Sequence, residues 1–465
     1  MLKVCITGAT GFIGKNLLSS LKQYDDIEII ALSRKISPMM DGASKGNIVW
    51  KRCNGFSLLD VEKATEGVDI LVYLIHSMVP SSSLSQGKFS DFDLFLADNF
   101  AKAAKKNGVK KIIYLSGFIP EDEKLSAHLQ SRLEVEKALA QYDNNLSVLR
   151  AGLIVGRNGS SFRILERLIR RLPVLICPSW TLSKTQPIDL KDVLASLVYC
   201  LRQPDQNPSI SDIGGPDIMT YKEMLHSTAL ILNKKRPIFN VPVFSPSLSK
   251  LWVSKVTSAS PQLVYPLVES LKHNMIADPK KQLILKNHTY TSFKESLKKG
   301  INPHEEGFVH RIINYNANIN LHWLENVTSI QRIPNPLGHS AEYAAIQYFS
   351  WLPQFLKTFI NIEKINNQVN FYLSSKILLL RLEKKMERST KTRVLYYIKG
   401  GILARDNTLN GRLEFRNIPC SQDILISLLD FRPSLPWFIY KYTQALIHIF
   451  TMNYFHRHWV KKFTC

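Results

Sequence analysis

The sequence predicts a doubly wound α/β domain followed by a separate α+β domain. The first 155 residues alternate short apolar runs with amphipathic stretches, which is the pattern of parallel strands buried on both faces and joined by crossover helices. A glycine-rich turn follows the first apolar run. Beyond residue 335 the order changes to a helix-like segment, several strand-like segments and a last helix-like segment, as is typical of an α+β domain.

Five segments are the candidate strands of the first domain. Each is short and rich in Val, Ile and Leu, as a strand requires when helices cover both faces of its sheet. The amphipathic stretch at 93–108, DLFLADNFAKAAKKNG, predicts one of the crossover helices. The candidate strands are LKVCITG, IEIIALS, VDILVYLIH, KKIIYLSG and LSVLRAGLIVG.

The middle of the chain is less regular. Residues 156–315 are interrupted by PSW, TQP and GGPD, which predicts small helices and short strands forming a lid over the carboxyl edge of the sheet. The first domain with its lid would therefore span 1–315. Residues 316–335 are rich in Asn and Pro and are interpreted as a linker, so the second domain would span 336–465.

The second domain has a helix–strands–helix pattern that predicts a curved sheet gripping a long helix, which would begin after Pro436. Such a helix-grip-like domain can hold an apolar small molecule, although an aromatic stripe at helical spacing also suits an ordinary core. Basic residues near the end of the helix equally permit peripheral contact with a membrane. The residues that could line the cavity are Trp437, Phe438, Tyr440, Tyr442, Phe450, Met452 and Phe455.

The turn TGATGFIG, residues 7–14, connects the first strand to the first helix. Gly8 allows the tight turn, Gly11 lets backbone amides approach a pyrophosphate, and Gly14 lets the helix pack closely on the strand. The amino terminus of the helix would then face the phosphates. In this strand–turn–helix context the motif predicts a Rossmann-type domain that binds a nicotinamide dinucleotide.

The end of the second strand favours NADP over NAD. Ser33 and Arg34 stand where enzymes that use NAD commonly carry a carboxylate for the ribose 2′-hydroxyl. A guanidinium can bind a 2′-phosphate, which a carboxylate would repel. NAD remains an alternative. Asp60, placed after the third strand, is a candidate contact for the adenine.

These motifs resemble the atypical short-chain dehydrogenases/reductases, in particular NmrA-like and YbjT-type NAD(P)H-binding proteins. Besides the glycine loop, the stretches YLIHSM, HLQSRLEVE, LRAGLIVG, RLPV, TQPI and GGPD carry the resemblance, which covers about residues 1–300. It implies contacts to the cofactor from several further positions. These are Thr10, Phe12 and Ile13 at the pyrophosphate, Leu74, Ile75 and His76 where the strand segment at 68–76 ends, Asn99 near the active site, and Ala151, Gly152 and Ile154 at the nicotinamide.

The catalytic members of that family use a Tyr-x-x-x-Lys pair and a serine, and this chain departs from that pattern. His128 and Arg132 stand at the Tyr and Lys positions, and Ser116 lies near the serine position. Histidine can carry out acid–base chemistry, whereas arginine keeps its proton and can only hold a ribose or phosphate. The candidate catalytic residues are therefore His76, His128 and Ser116. The spacing of Arg132 and Glu136 also predicts an ordinary ion pair within a helix.

Three functions remain open at this point. The first is an NADP-dependent oxidoreductase acting on a hydrophobic or quinone-like substrate. The second is a regulator that senses NAD(P) without turnover. The third is an accessory or assembly protein at the membrane periphery. The departure from the Tyr-x-x-x-Lys pair favours the second and third.

Composition narrows the partners. The formal net charge of +22 favours anionic partners. The sequence contains no nucleic-acid-binding motif, so nucleic acid is not expected to be one of these partners. Six scattered cysteines without a C-x-x-C pair argue against a zinc site or a disulfide framework and suit a cytoplasmic protein. The sequence has no apolar run long enough for a transmembrane helix.

Overall fold

The computed structural model describes most of the chain and divides it into two compact units. The first comprises Met1–Val79 and Leu96–His310, and the second Pro80–Phe95 and Arg311–Cys465. The described residues are 1–34, 42, 44–77, 84–121, 124–203, 208–241, 253–258, 260–301, 326–356, 359–374, 376–405 and 410–463. The predicted boundary between residues 315 and 316 lies outside them.

The first unit has a large sheet, several short strands and most of the helices. Its strands are β1 Leu2–Ile6, β2 Ile27–Ser33, β3 Ser44–Lys45, β4 Ile48–Arg52, β5 Ile70–Tyr73, β7 Lys111–Gly117, β8 Leu146–Ala151, β9 Ile154–Val155, β10 Leu175–Pro178, β11 Lys184–Thr185, β12 Ile188–Asp189, β13 Ser209–Ile213, β14 Met219–Thr220 and β15 Ile238–Val241. Its helices are α1 Phe12–Leu21, α2 Leu58–Ala64, α4 Ala127–Leu139, α5 Ser160–Arg171, α6 Leu190–Leu201, α7 Tyr221–Ile231, α8 Pro261–Ser270 and α9 Phe293–Gly300.

The large sheet has the order β13-β8-β7-β5-β1-β2-β4-β3. All neighbouring strands pair in parallel except β3 and β4. The order runs outward from β1 in both directions, through β2 on one side and β5 on the other. The predicted doubly wound sheet is therefore confirmed, and the switch point at β1 is where such sheets bind their ligands.

The core of the first unit follows from the apolar strands. Val4, Ile29 and Val72 on β1, β2 and β5 are completely buried, because helices cover both faces. Helices α1 and α6 contribute Leu17 and Leu197 to the same cluster. The region after residue 155 has the predicted small helices and two-stranded pairs, which pack around a separate cluster of apolar side chains.

The second unit contains a mixed eight-stranded sheet of order β17-β18-β19-β20-β21-β22-β16-β6. Neighbouring strands pair in antiparallel orientation, except β16 and β6, which pair in parallel. The strands are β6 Leu84–Gln86, β16 Val327–Pro334, β17 Ile360–Ile365, β18 Gln368–Leu373, β19 Ile377–Lys384, β20 Arg393–Gly400, β21 Arg412–Asn417 and β22 Asp423–Phe431. The helices are α10 Ala341–Leu356, α11 Trp437–Tyr442 and α12 Gln444–Phe463, and α3 Phe89–Lys106 begins here and continues into the first unit.

The predicted α+β class of this domain is confirmed, with differences in detail. Helices α10 and α12 pack on one face of the sheet through residues such as Phe349, Phe455 and Trp459. The long last helix is divided at Thr443, whose backbone angles (φ −128°, ψ −87°) are not helical. Strand β16 occupies part of the stretch interpreted as a linker.

The aromatic residues proposed to line a cavity in the second unit do not share one environment. Tyr440 and Phe455 are buried in the core, whereas Phe438, Tyr442 and Phe450 are exposed. The prediction of a single cavity lined by all seven residues was therefore wrong, because the helices that carry them have two apolar sides. Among the described residues, no helix is both long enough and apolar enough to span a bilayer.

Candidate functional site

The glycine loop is held against the end of β5. The Thr7 amide donates to the Val72 carbonyl oxygen at 2.9 Å, and the Leu74 amide donates to Thr7 Oγ1 at 3.0 Å. Gly8 has a φ of +64°, and a Cβ atom there would lie 2.8 Å from the Leu74 carbonyl oxygen. The turn therefore requires glycine both for its backbone conformation and for its close approach to β5.

The start of α1 has the form expected of a phosphate-binding loop. A Cβ atom on Gly14 would lie 2.4 Å from the Gly8 carbonyl oxygen, so the helix can approach the loop only with glycine at this position. The N-cap residue is Gly11, which provides no side chain to cap the first turn. Amides at such a terminus suit an anionic group. Thr10 is exposed and Ile13 is half-buried, and the Phe12 ring lies beside Gly156 and Gly159.

The residues predicted at the adenosine end lie after β2 and β4. Ser33 is the last residue of β2 and is buried, and Arg34 directly after it is exposed. Asp60 lies in the first turn of α2, where it accepts a hydrogen bond from the Ser57 hydroxyl at 2.9 Å. Lys35, which follows Arg34, lies outside the described residues.

Asn99 is completely buried in α3. Its side-chain amide donates to the Gly55 carbonyl oxygen at 2.8 Å. Gly55 belongs to the loop between β4 and α2, so Asn99 anchors that loop. The resemblance implied a position near the active site, and the contact with Gly55 gives the side chain a structural role as well.

Two of the predicted catalytic histidines come together at the end of β5. The rings of His76 and His128 have centroids 5.2 Å apart, and Arg132 Nη2 is hydrogen-bonded to His76 Nδ1. The Arg132 guanidinium also lies 5.8 Å from the centroid of the Tyr114 ring. Leu74 and Ile75 lead from β5 into this group and are half-buried. Arg132, which stands at the lysine position of the family's pattern, is thus also the hydrogen-bond partner of His76.

Ser116, the third candidate, belongs to a buried ion pair. Its hydroxyl donates to Glu136 Oε1 at 2.8 Å, and Arg150 donates to both oxygens of Glu136, at 3.1 and 2.7 Å. Ser116 and Arg150 are directly paired on β7 and β8. The predicted ion pair between Arg132 and Glu136 was wrong, because Arg150 is the charged partner of Glu136.

Strand β13 adds Asp212 to the polar group formed by Ser116, Glu136 and Arg150. Asp212 is the strand neighbour of Arg150, and burial raises the pKa of Asp212 although Arg150 opposes this shift. Sequence reasoning missed Arg150, Glu136 and Asp212 as a group. The signal available was an arginine inside the otherwise apolar strand LSVLRA.

The residues predicted near the nicotinamide follow β8. Ala151 is the last residue of that strand and is buried. A Cβ atom on Gly152 would lie 2.6 Å from the Gln186 carbonyl oxygen, so the chain turns tightly here. Ile154 lies in β9 and pairs with Ile188 of β12.

A groove in the described part of the first unit lies away from these residues. It has a volume of about 970 Å³ and is lined by side chains of α1, α6 and the segment 284–288, and none of the three candidate catalytic residues contributes to it. We place the candidate site at the carboxyl edge of the sheet because the glycine loop, the switch point and the histidines meet there. An open groove without a phosphate-binding loop or candidate acid–base residues is weaker support for a functional site.

Comparisons with known proteins match the first unit to NAD(P)H-binding proteins. The model of the NAD(P)H-binding family matches residues 8–155. Auxiliary protein GraX of Staphylococcus aureus is 30% identical over 168 residues, which is 33% of this chain and 53% of that protein. The chain thus matches about half the length of this relative.

Solved structures show the same fold as the first unit. The NADPH-dependent quinone oxidoreductase of Escherichia coli, in complex with NADPH, has a TM-score of 0.50 and 19% identity, covering 63% of this chain and 98% of that one. The triphenylmethane reductase of Citrobacter sp., in complex with NADP(H), has a TM-score of 0.50 and 16% identity, covering 64% and 100%. The predicted NAD(P)H-binding domain and its Rossmann-type fold are confirmed.

Proposed function

We propose that the protein is an NADP(H)-dependent reductase of an apolar, quinone-like or carbonyl substrate. The observation that carries this proposal is the glycine loop at the switch point of the sheet, with Arg34 directly after β2. Two solved structures with this fold are described as a quinone oxidoreductase and a dye reductase, each in complex with its NADP cofactor. The substrates named for these two proteins, a quinone and a triphenylmethane, motivate the substrate class proposed here.

The residues present fit the cofactor. Gly8 and Gly14 let the turn and the helix pack closely, since a Cβ atom at either position would contact backbone atoms at 2.8 Å or less. The amides at the start of α1 would then receive the pyrophosphate. Arg34 would bind the 2′-phosphate, and Arg132 the nicotinamide ribose. When bound, NADPH would supply a hydride to the substrate.

Exchanging the charge of Arg34 should change the cofactor preference. In Arg34→Asp we expect NADPH to bind at least about tenfold more weakly and NADH to bind as well or better, because a carboxylate repels the 2′-phosphate and accepts from a 2′-hydroxyl. Fluorescence titration with each cofactor measures this change. Lys294→Asp, an equal change of charge at an exposed position of α9, is the control. If Arg34→Asp still prefers NADPH, Arg34 does not contact the 2′-phosphate.

The hydrogen bond between Arg132 and His76 supports different roles for the two histidines. A guanidinium can only donate, so Nδ1 of His76 is the acceptor and the neutral ring carries its proton on Nε2. His76 in this form can polarise a carbonyl by donating a hydrogen bond. His128 would supply the proton, so that hydride and proton together convert a carbonyl to an alcohol or a quinone to a hydroquinone.

Replacing His128 should slow turnover without loss of the cofactor. We expect kcat of His128→Gln to fall about 100-fold, within the range of a lost general acid, while the Kd for NADPH stays within about twofold. NADPH oxidation in the presence of short-chain quinones and enals gives kcat, and titration gives Kd. His226→Gln, at an exposed position of α7, should behave like the wild type. An unchanged kcat in His128→Gln would remove His128 from the mechanism.

A second candidate function is binding of the dinucleotide without turnover. His128 and Arg132 at the Tyr and Lys positions favour it, and the matched relative GraX is named an auxiliary protein. The same assays distinguish the two functions. Tight NADPH binding with no oxidation by any quinone or enal would support the non-catalytic protein, whereas oxidation that depends on His128 would support the reductase.

A further inference from the structure

We propose that the outward side of α11 and α12 binds the surface of a bilayer that contains anionic lipids. Five of the exposed apolar or aromatic residues on these two helices make up what we call the aromatic face. Their exposed fractions range from 37% to 68%. They are Phe438, Tyr442, Leu446, Phe450 and Tyr454.

The aromatic face is not the side of α12 that holds the second unit together. Residues on the opposite side, among them Met452, Phe455 and Trp459, are buried against the sheet. A surface helix normally combines one apolar side with one polar side. Here the side that faces solvent is apolar as well, so its composition is not explained by packing within the unit.

Ring contacts order the part of the aromatic face that lies on α12. The centroids of Phe450 and Tyr454 are 4.4 Å apart, and Phe355 of α10 lies 5.0 Å from Tyr454. These contacts join Phe450 and Tyr454 into one exposed apolar patch against Phe355, and an exposed apolar patch is typical of an interaction site.

The charges around this surface point to anionic lipid as the partner. Residues 431–465 contain five basic and no acidic residues. Arg457 and Lys461 lie on the same side of α12 as Phe450 and Tyr454, since they follow at helical spacing, and the Arg457 guanidinium lies 5.5 Å from the Tyr454 ring centroid. An apolar face with aromatic and basic residues suits the interface of a bilayer, where rings and cations both find partners.

Cosedimentation with vesicles tests this proposal. The full-length protein should sediment with vesicles of phosphatidylcholine and phosphatidylglycerol, much less with phosphatidylcholine alone, and should be released by high salt. The double variant Phe438→Ser/Phe450→Ser should reduce the bound fraction at least tenfold. Arg457→Glu/Lys461→Glu should remove the preference for phosphatidylglycerol. Both variants change exposed side chains, so thermal unfolding and NADPH binding should match the wild type.

Matched controls come from the first unit. Leu230→Ser/Phe239→Ser changes two residues that are 65% and 59% exposed, and Lys294→Glu/Lys298→Glu changes two exposed cations of α9. Both should bind vesicles like the wild type. The proposal is overturned if the wild-type protein does not sediment, or if the test variants bind as well as the controls. It is also overturned if the serine variant only converts a dimer to a monomer, because the aromatic face would then contact a second copy.

Discussion

Gly8→Ala should abolish NADPH binding, with an increase in Kd of more than about 100-fold. Gly8 has a φ of +64°, and the added methyl group would lie 2.8 Å from the backbone oxygen of Leu74. The added methyl carbon and the Leu74 oxygen are both attached directly to the backbone, so neither can move aside on its own. The loop must therefore shift away from β5, and with it the amides that would receive the pyrophosphate.

The left-handed backbone alone does not account for the expected loss, and Gly67 provides the control. Its φ is +68°, and no atom lies within 4 Å of the position that a Cβ atom would take. Gly67→Ala should therefore incur the same conformational cost of about 1–2 kcal/mol while leaving NADPH binding unchanged. Fluorescence titration together with thermal unfolding compares the two variants. Equal NADPH affinity in both variants would show that the loop geometry is not what binds the cofactor.

The fold of the first unit was predictable because its signals are local. Strands such as β1 and β5 are almost wholly apolar, and a Cβ atom at Gly11 or Gly14 would meet the Gly8 carbonyl oxygen of the same short loop. Sequence neighbours are spatial neighbours there. The order of strand, glycine turn and helix along the chain was therefore enough to predict the edge of the sheet on which the candidate site lies.

Contacts between distant segments were not predictable in this way. Glu136 has Arg132 one helical turn away, yet its partner is Arg150 on a strand, which donates to both of its oxygens. Strand β16 contains the polar residues Ser329 and Gln331, which interrupt the alternation of apolar and polar residues by which a strand is predicted. Its pairing with β6 joins residues about 240 positions apart, and no local signal marks it.

The polar face of the second unit leads to a strong prediction for stability. Along β21, Leu413 and Phe415 point into the core, while Arg412, Glu414 and Arg416 alternate on the other face. Glu414 is completely buried. Arg393 donates to its two oxygens at 2.8 and 3.0 Å. Arg416 Nε donates to one of them at 2.6 Å.

Glu414→Gln should destabilise the second unit by about 3–5 kcal/mol, the usual cost of leaving buried charges without their partner. Burial opposes ionisation of Glu414, but Arg393 and Arg416 outweigh it and hold the pKa of this carboxyl well below its usual range. A depressed pKa stabilises the folded state above the unfolded pKa, and this stabilisation is lost as pH falls through the folded pKa. The difference between variant and wild type should therefore be constant from neutral pH down to about pH 5 and shrink only at stronger acid.

Urea unfolding followed by tryptophan fluorescence measures this difference, because Trp351 and Trp459 lie in the core of the same unit. Glu387→Gln is the control, since Glu387 is exposed and its loss should change stability by less than about 0.5 kcal/mol. If Glu414→Gln unfolds like this control, the buried guanidinium groups must find other acceptors, and Glu414 is not what keeps them in the sheet. A large loss would instead mean that the Glu414 carboxylate is needed to hold the guanidinium groups of Arg393 and Arg416 in the sheet.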